Sequence, residues 1–350
     1  MKRRDFLGLA GATLISAPKI SLAQSTSAKK LRIVVVANRY HEADGLMAAV
    51  CNQMTHNPYL SVPYNVDWPR SQTLIGVDWP RPHTDPPTDS QKPRCLIDVI
   101  KAPSGNALSA TMEIWCIDDL ADTKADSGNK ATAMKKITDY SPSAPDGVVA
   151  FGTAGYPGLS SNNGCATIGG TIFIHDAAKD VPGLQGGSWS WSHNMGVLIP
   201  STTPTSFFTR VSGDPKTLGA INNEMIAPQI HPASVLQLFI AADAVGISSV
   251  NIPTPPPNSP PPPYCDIDSK AIALAQQAGA TNITSVETTH GVIRSVWDKA
   301  PFIYVTAIPN RVCHFSDEAS QNYAQEFPAS HNAGVALKYV IPYFVSSIAA

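Results

Sequence analysis

Two hydrophobic patterns alternate along this chain. "LRIVVVA" at 31–37 is a nearly unbroken β-branched run, as expected for a strand buried on both faces, and "EADGLMAAVCNQM" at 42–54 has helical composition. Strand patterns return in "CLIDVIKAP", "ATMEIWCIDDL", "GVVAFGTAGYPG" and "ATIGGTIFIHDA", with a further one in "HNMGVLIPS" and a helical stretch at 131–137. Beyond them, "SKAIALAQQAGA" reads as a helix stopped by Gly279, "TNITSVETTHGVIRSVWDKA" as a short strand turning into a helix near Thr288, and "PFIYVTAI" as another buried strand. "SQNYAQEFPASHNAGVALKYVIPYFVSSI" carries helix signals interrupted by Pro328, which predicts two helices or one broken one. Strand–helix alternation over this length predicts an α/β fold: a single-domain, three-layer α/β/α arrangement around a mostly parallel or mixed central sheet.

Two segments break the pattern. Residues 57–94 are rich in Pro and Trp and repeat "VDWPR" at 66–70 and 77–81, and proline excludes a central strand or a helix interior there. Two copies of five residues do not make a repeat architecture, so the segment is expected to be a surface excursion shaping access to a site. The run "PTPPPNSPPPPYC" suits a stiff extended loop, and because sheet patterns flank it, residues 253–264 are read as an insertion within one domain.

Composition narrows the function. The chain has 350 residues, 43% of them hydrophobic, enough for a substantial core; 25 basic and 27 acidic residues leave a net charge of -2 and no basic footprint for nucleic acid or an anionic membrane. A small molecule is the expected partner. The N-terminus, "MKRRDFLGLAGATLISAPKISLAQS", has a basic region, a short apolar stretch and Ser21-Leu22-Ala23 as a small-residue cleavage site, so residues 1–23 are read as a signal peptide and 24–350 as the mature domain. Arg3-Arg4 before Asp5, Phe6 and Leu7 resembles a twin-arginine export signal. No segment reaches the ~18 apolar residues of a spanning helix, so no stable membrane insertion is expected, and the location is read as periplasmic or secreted. Six cysteines in an oxidising compartment leave fifteen pairings open. They form no C-x-x-C and no cluster with His at metal-site spacing, so no metal is expected.

Ligands of open α/β sheets lie beyond the carboxyl ends of the strands. Four features of this sequence fall there: Glu42, the turn Gly152-Thr153-Ala154-Gly155, Glu287 and Asp317. A single loop acid is ordinarily just solvated; their conjunction carries more. "RIVVVANRYHEADGL", "VVAFGTAG", "GGTIFIHDA", "TSVETTHGV" and "IPNRVCHFSDEA" resemble, in order, the opening strand and glutamate turn, the glycine turn, the strand with its His-Asp turn, the ribose-binding Met-Glu segment and the Ser-Asp signature of the purine nucleoside phosphorylase and nucleosidase superfamily, especially its 5'-methylthioadenosine/S-adenosylhomocysteine nucleosidase branch. The resemblance covers most of 31–345 in outline. Val286 stands where the family has Met, Thr288-Thr289-His290 replace small residues, and neither 57–94 nor 253–264 has a counterpart.

The resemblance implies a nucleoside phosphorylase-like fold, a small-molecule nucleoside as partner, no cofactor, and apolar dimer surfaces, hence a homo-oligomer. It implies that Asp317 protonates the purine, which requires burial near other acids to raise its pKa. Glu287, beside Val286, would hold the ribose hydroxyls and favour a cationic sugar. Glu42 would be the base that activates water; Thr153, Ala154 and Gly155 would line the ribose site, and Ser316 would orient Asp317. A glutamate at position 42 repels phosphate and favours hydrolysis over phosphorolysis, with Arg39 nearby as a complication. His290 is expected to be a satisfied histidine on a helix face, with a ligand contact as the alternative. A phosphorylase, or a periplasmic protein that binds a nucleoside without cleaving it, remains as the alternative. No G-x-S-x-G elbow, P-loop or dinucleotide fingerprint is present.

Overall fold

The computed structural model describes residues 29–51, 57–61, 92–120, 127–159, 161–177, 196–248, 264–318 and 323–349. The expected signal peptide, both "VDWPR" copies and the proline run at 253–263 lie outside them. In chain order, β1 (Leu31–Ala37) leads into α1 (Tyr40–Cys51), followed by β2 (Leu60–Ser61), β3 (Cys95–Lys101), β4 (Ala107–Cys116), α2 (Ile117–Leu120) and α3 (Ser127–Tyr140). The middle of the chain forms β5 (Gly147–Thr153), β6 (Ala166–His175), β7 (Leu198–Ile199), α4 (Thr205–Ser212), α5 (Pro215–Glu224) and β8 (Leu238–Ile247). Then come α6 (Tyr264–Gln277), β9 (Ile283–Glu287), α7 (His290–Val296), β10 (Phe302–Ala307), α8 (Phe315–Glu318) and α9 (Tyr323–Ile348).

The ten described strands make one mixed sheet in the order β2-β3-β4-β1-β5-β10-β6-β8-β9, with β7 paired to β6. β1 lies parallel to β4 and β5, β5 to β10, and β8 to β6 and β9, whereas β10 and β6 run antiparallel. The carboxyl ends of β1, β5 and β10 therefore open towards one edge of the sheet, whereas β9 runs antiparallel to them. β1 explains why an unbroken apolar run was needed: Ile33 and Val35 pack into one cluster with Leu46 of α1, Phe207 of α4 and Val340 of α9, while Val34 and Val36 pack into another with Met134 of α3 and Val292 of α7. All four β1 side chains are fully buried, each worth about 1.5–3 kcal/mol of hydrophobic stabilisation. A third cluster seats Ile267 and Ala271 of α6 on Val245 and Ile247 of β8.

Proline does not break the last helix. α9 runs through both Pro328 and Pro342 as one element. Its residues from Phe327 to Val345 are almost all buried, against α1 among other neighbours, and that packing offsets the lost backbone bonds. The two helices meet closely, since a Cβ at Gly45 would come within 2.5 Å of the Ser330 Cβ. Gly279, with φ of 103°, ends α6 as expected. The excursion starts as an edge strand, with Leu60 and Ser61 pairing to β3. One disulfide is present, Cys265–Cys313, and the other four cysteines are free thiols. No described helix is long and apolar enough to cross a membrane.

Candidate active site

Glu42 sits in the first turn of α1, where the helix N-terminus favours a carboxylate. It is 5% exposed. Its Oε2 accepts from the backbone amides of Asn38 (3.0 Å) and Arg39 (2.9 Å), so it fastens the turn between β1 and α1. Its Oε1 accepts from the amide (2.8 Å) and hydroxyl (3.0 Å) of Thr153 at the end of β5. A carboxylate offers about four lone-pair positions, and four donors occupy them. Gly152 makes this approach feasible, because a Cβ there would lie 2.6 Å from Glu42 Oε1.

The glycine turn then bridges to β9. Gly155 donates to the Val286 carbonyl (2.9 Å), Val286 donates back (3.0 Å), and the Ala154 amide bonds the Ala307 carbonyl at the end of β10 (3.1 Å). Glu42, Thr153, Ala154, Gly155, Val286 and Glu287 thus belong to one connected constellation at the strand ends.

Glu287 is turned inward. Its Oε2 accepts from the amides of Thr289 and His290 (2.7 Å for the latter), capping the start of α7. Its Oε1 is buried without a hydrogen-bond partner and lies 3.9 Å from His290 Nδ1, which also lacks one. Burial pushes the Glu287 carboxyl up to about 7, against the opposing pull of those two amides and of the Lys130 ammonium. Lys130, from α3, donates to the Thr288 carbonyl (3.2 Å) and to the hydroxyls of Thr288 (3.1 Å) and Thr289 (3.0 Å), clamping the turn after β9. Burial lowers its own pKa to about 8. His290, the first residue of α7, is 2% exposed, stacks on Tyr304 at 5.7 Å, and is pushed down to about 3 by burial, which keeps it neutral. Arg39 reaches Asp118 of α2 at 3.6 Å, and burial raises Asp118 to about 6.

Asp317 lies on the surface. Its side chain is 72% exposed in the short α8, 3.7 Å from His314 Nδ1, and its Oδ1 accepts from Ser316 Oγ at 3.1 Å. The burial beside other acids that its expected role requires is missing. Ser316 touches Asp317, and both are on the surface. The buried acid of this segment is the next residue, Glu318, 1% exposed, held by two guanidinium bonds from Arg311 (2.8 and 2.6 Å), the Arg311 amide (2.8 Å) and Asn163 Nδ2 (3.1 Å). Burial would raise its pKa, but the Arg311 and Asn163 bonds hold it below the usual value. It is a structural ion pair.

The residue that does sit just beyond β10 is Asn310. It is 6% exposed, its carbonyl accepts from the Tyr156 amide (2.9 Å), its Nδ2 donates to the Arg311 carbonyl (2.7 Å), and a Cβ on Gly155 would lie 3.7 Å from that same nitrogen. Sequence reasoning passed over it and Lys130. Asn310 stands three residues past the apolar strand and could have been found by strand-end position alone, whereas nothing in "GNKATAMKKI" marks Lys130. Among the described residues no group of three or more His, Cys, Asp or Glu side chains could hold a metal ion.

No family model matches the chain, and no curated protein sequence does. Solved structures similar to it include the Arabidopsis thaliana 5'-methylthioadenosine nucleosidase in apo form, with 13% identity and a TM-score of 0.48 over 89% of this chain and 95% of that one. Another is the Streptococcus pyogenes S-adenosylhomocysteine nucleosidase in complex with 5-methylthiotubericidin, at 11% identity and TM-score 0.47 over 90% and 98%. A third is the Neisseria meningitidis 5'-methylthioadenosine/S-adenosylhomocysteine nucleosidase in complex with methylthio-immucillin-A, at 12% and 0.42 over 89% and 98%.

Proposed function

We propose that this protein binds a purine nucleoside at the carboxyl ends of β1, β5, β9 and β10 and hydrolyses its N-glycosidic bond to free base and sugar. The observation that supports this most is the Gly155–Val286 backbone bridge, which joins the Glu42–Thr153 contact to the strand bearing Glu287 and so gathers two acids and a glycine turn at one place. In this reading Glu42 accepts a proton from the attacking water. Three of its four donors are fixed amides; the fourth, the Thr153 hydroxyl, is a rotor that turns aside and frees a lone pair on Oε1. Glu287 offers its unpartnered Oε1 to the ribose hydroxyls, where negative charge favours an oxocarbenium-like sugar. Asn310 supplies a carboxamide donor and acceptor to the base but no transferable proton, and Asp317 has no part in the step; the departing base takes its proton from solvent water, to which Glu42 returns the one it accepted. Export through a twin-arginine signal at 1–23 and a periplasmic or secreted location belong to the same proposal; replacing Arg3-Arg4 by Lys-Lys should then abolish export.

A second reading is binding without cleavage. Two observations favour it: the acceptor positions of Glu42 are filled, and Asp317 is exposed. Incubation with adenosine, inosine, guanosine and methylthioadenosine, with and without phosphate, distinguishes the readings. Free base without phosphate supports hydrolysis, free base only with phosphate makes the protein a phosphorylase, and calorimetric binding with no free base makes it a binding protein.

A further inference from the structure

Cys51 and Cys95 are unpaired in the structure, yet their Sγ atoms lie 3.6 Å apart. Cys51 is the last residue of α1, whose first turn carries Glu42, and Cys95 is the first residue of β3. Both are buried, at 2% and 1% exposure. The backbone around them is fixed by other contacts. Cys95 sits opposite Ile114 in the β3–β4 ladder, the preceding Arg94 donates its amide to the Ile114 carbonyl (2.8 Å), and the Arg94 guanidinium pairs with Asp44 of α1 (2.8 Å) and Asp119 of α2 (2.8 Å). Arg94 and Asp44 thus hold β3 against α1 independently of the thiols. Between them, the two cysteines bracket residues 52–94, which include the proline- and tryptophan-rich excursion.

We infer that Cys51 and Cys95 are a disulfide site, closed when the protein meets a disulfide oxidant, and that the bond ties the end of α1 to the start of β3 at the root of the 57–94 excursion. Closing it needs the sulfurs to move from 3.6 Å to about 2 Å. The hydrogen bond shared by the two thiols lowers the Cys95 thiol and raises that of Cys51, which favours Cys95 as the attacking group. The Cys95 thiolate displaces one sulfur of a small-molecule or protein disulfide, giving a mixed disulfide and one thiol; the Cys51 thiolate then attacks Cys95 Sγ and releases the second thiol. Two protons and two electrons leave the cysteine pair, and the oxidant's disulfide is reduced to two thiols. Both cysteines are at element ends, where local opening exposes buried thiols at least cost. Cys265–Cys313 already marks the chain as one that carries a disulfide.

The test uses the full mature protein incubated with oxidised glutathione, then unfolded and alkylated. Of the four cysteines outside Cys265–Cys313, only Cys116 and Cys165 should take up label, and digestion without reductant should give a linked Cys51–Cys95 peptide. Cys51→Ser should leave Cys95 as an alkylatable thiol or a glutathione adduct. Four labelled thiols in the treated wild type, or a persistent glutathione adduct at Cys95 with no linked peptide, would overturn the inference. In a Cys265→Ser, Cys313→Ser background, reductant should lower the thermal midpoint by about 5 °C, as expected for opening a long loop; an unchanged midpoint would also count against it. Should that background fail to fold, the thiol count in the wild type decides.

Discussion

Glu42 and Asp317 look alike in sequence, each an acid a few residues past an apolar strand, and the structure separates them completely. Glu42 lies five residues beyond Ala37 and turns back at once into α1, so its carboxylate stays over the sheet end among four donors. Asp317 lies ten residues beyond Ala307. The intervening chain does not turn back. Ile308 bonds the Cys165 carbonyl, Asn310 and Val312 bond Tyr156 on either side, and Arg311 forms a bridge with Tyr156, so the segment is zipped along the loop after the glycine turn and carries the acid out to solvent. What an acid does after a strand depends on where the following backbone finds its hydrogen bonds, because those fix whether the side chain is returned to the crevice or led away from it.

The sharpest way to break the Glu42 side of this comparison is Gly152→Val. Its Cβ would sit 2.6 Å from Oε1 and displace the carboxylate from Thr153, so urea denaturation should show a loss of about 3 kcal/mol. Glu42→Gln is subtler. One of its ends becomes an NH2 facing two donors, which should cost about 1–3 kcal/mol by the same measurement.

Glu287 sharpens the comparison through pH. Its carboxyl titrates near 4.5 when unfolded and is pushed up to about 7 by burial when folded, so its contribution to stability is full below about pH 4.5 and is lost as the pH rises through about 7. His290, pushed down to about 3, acts in the opposite direction between about 3 and 6.5. The readout is therefore the stability of wild type minus that of Glu287→Gln, which should fall on the order of 1–3 kcal/mol between pH 4.5 and 7. A flat difference would mean that Glu287 is not the group titrating there. The smallest effect is expected from Asp317→Asn: its side chain is exposed, and the substitution should stay within about 0.5 kcal/mol of wild type at neutral pH.

Periodicity carried most of the fold, and it failed where packing overrides local signals. β1, β5, β9 and β10 were legible because strands buried on both faces read as continuous apolar runs. β8 was missed: "LFIAADAVGI" mixes alanines with an aspartate and resembles a helix as much as a strand. α4 and α5 were missed as well, although Asp214 caps α5 with its side chain on the amides of Lys216 and Thr217, ahead of Pro215, a start signal present in the sequence. Pro328 misled because local propensity cannot register how deeply α9 is buried. At the site, strand-end logic brought Glu42, the glycine turn and Glu287 to one place. Nothing in "IPNRVCHFSDEA" announces that its backbone is spent pairing with Tyr156, and that pairing is what makes Asn310 the residue at the strand end and leaves Asp317 outside.

The most direct test of the account is the rate of free-base release from the best nucleoside of the panel, without phosphate, measured side by side for wild type, Glu42→Gln and Asp317→Asn at saturating substrate. The account predicts turnover by wild type, a ~10²–10⁴-fold loss in Glu42→Gln, as for removal of a general base, and turnover within about twofold of wild type in Asp317→Asn. A collapse of turnover in Asp317→Asn with Glu42→Gln left active would contradict it.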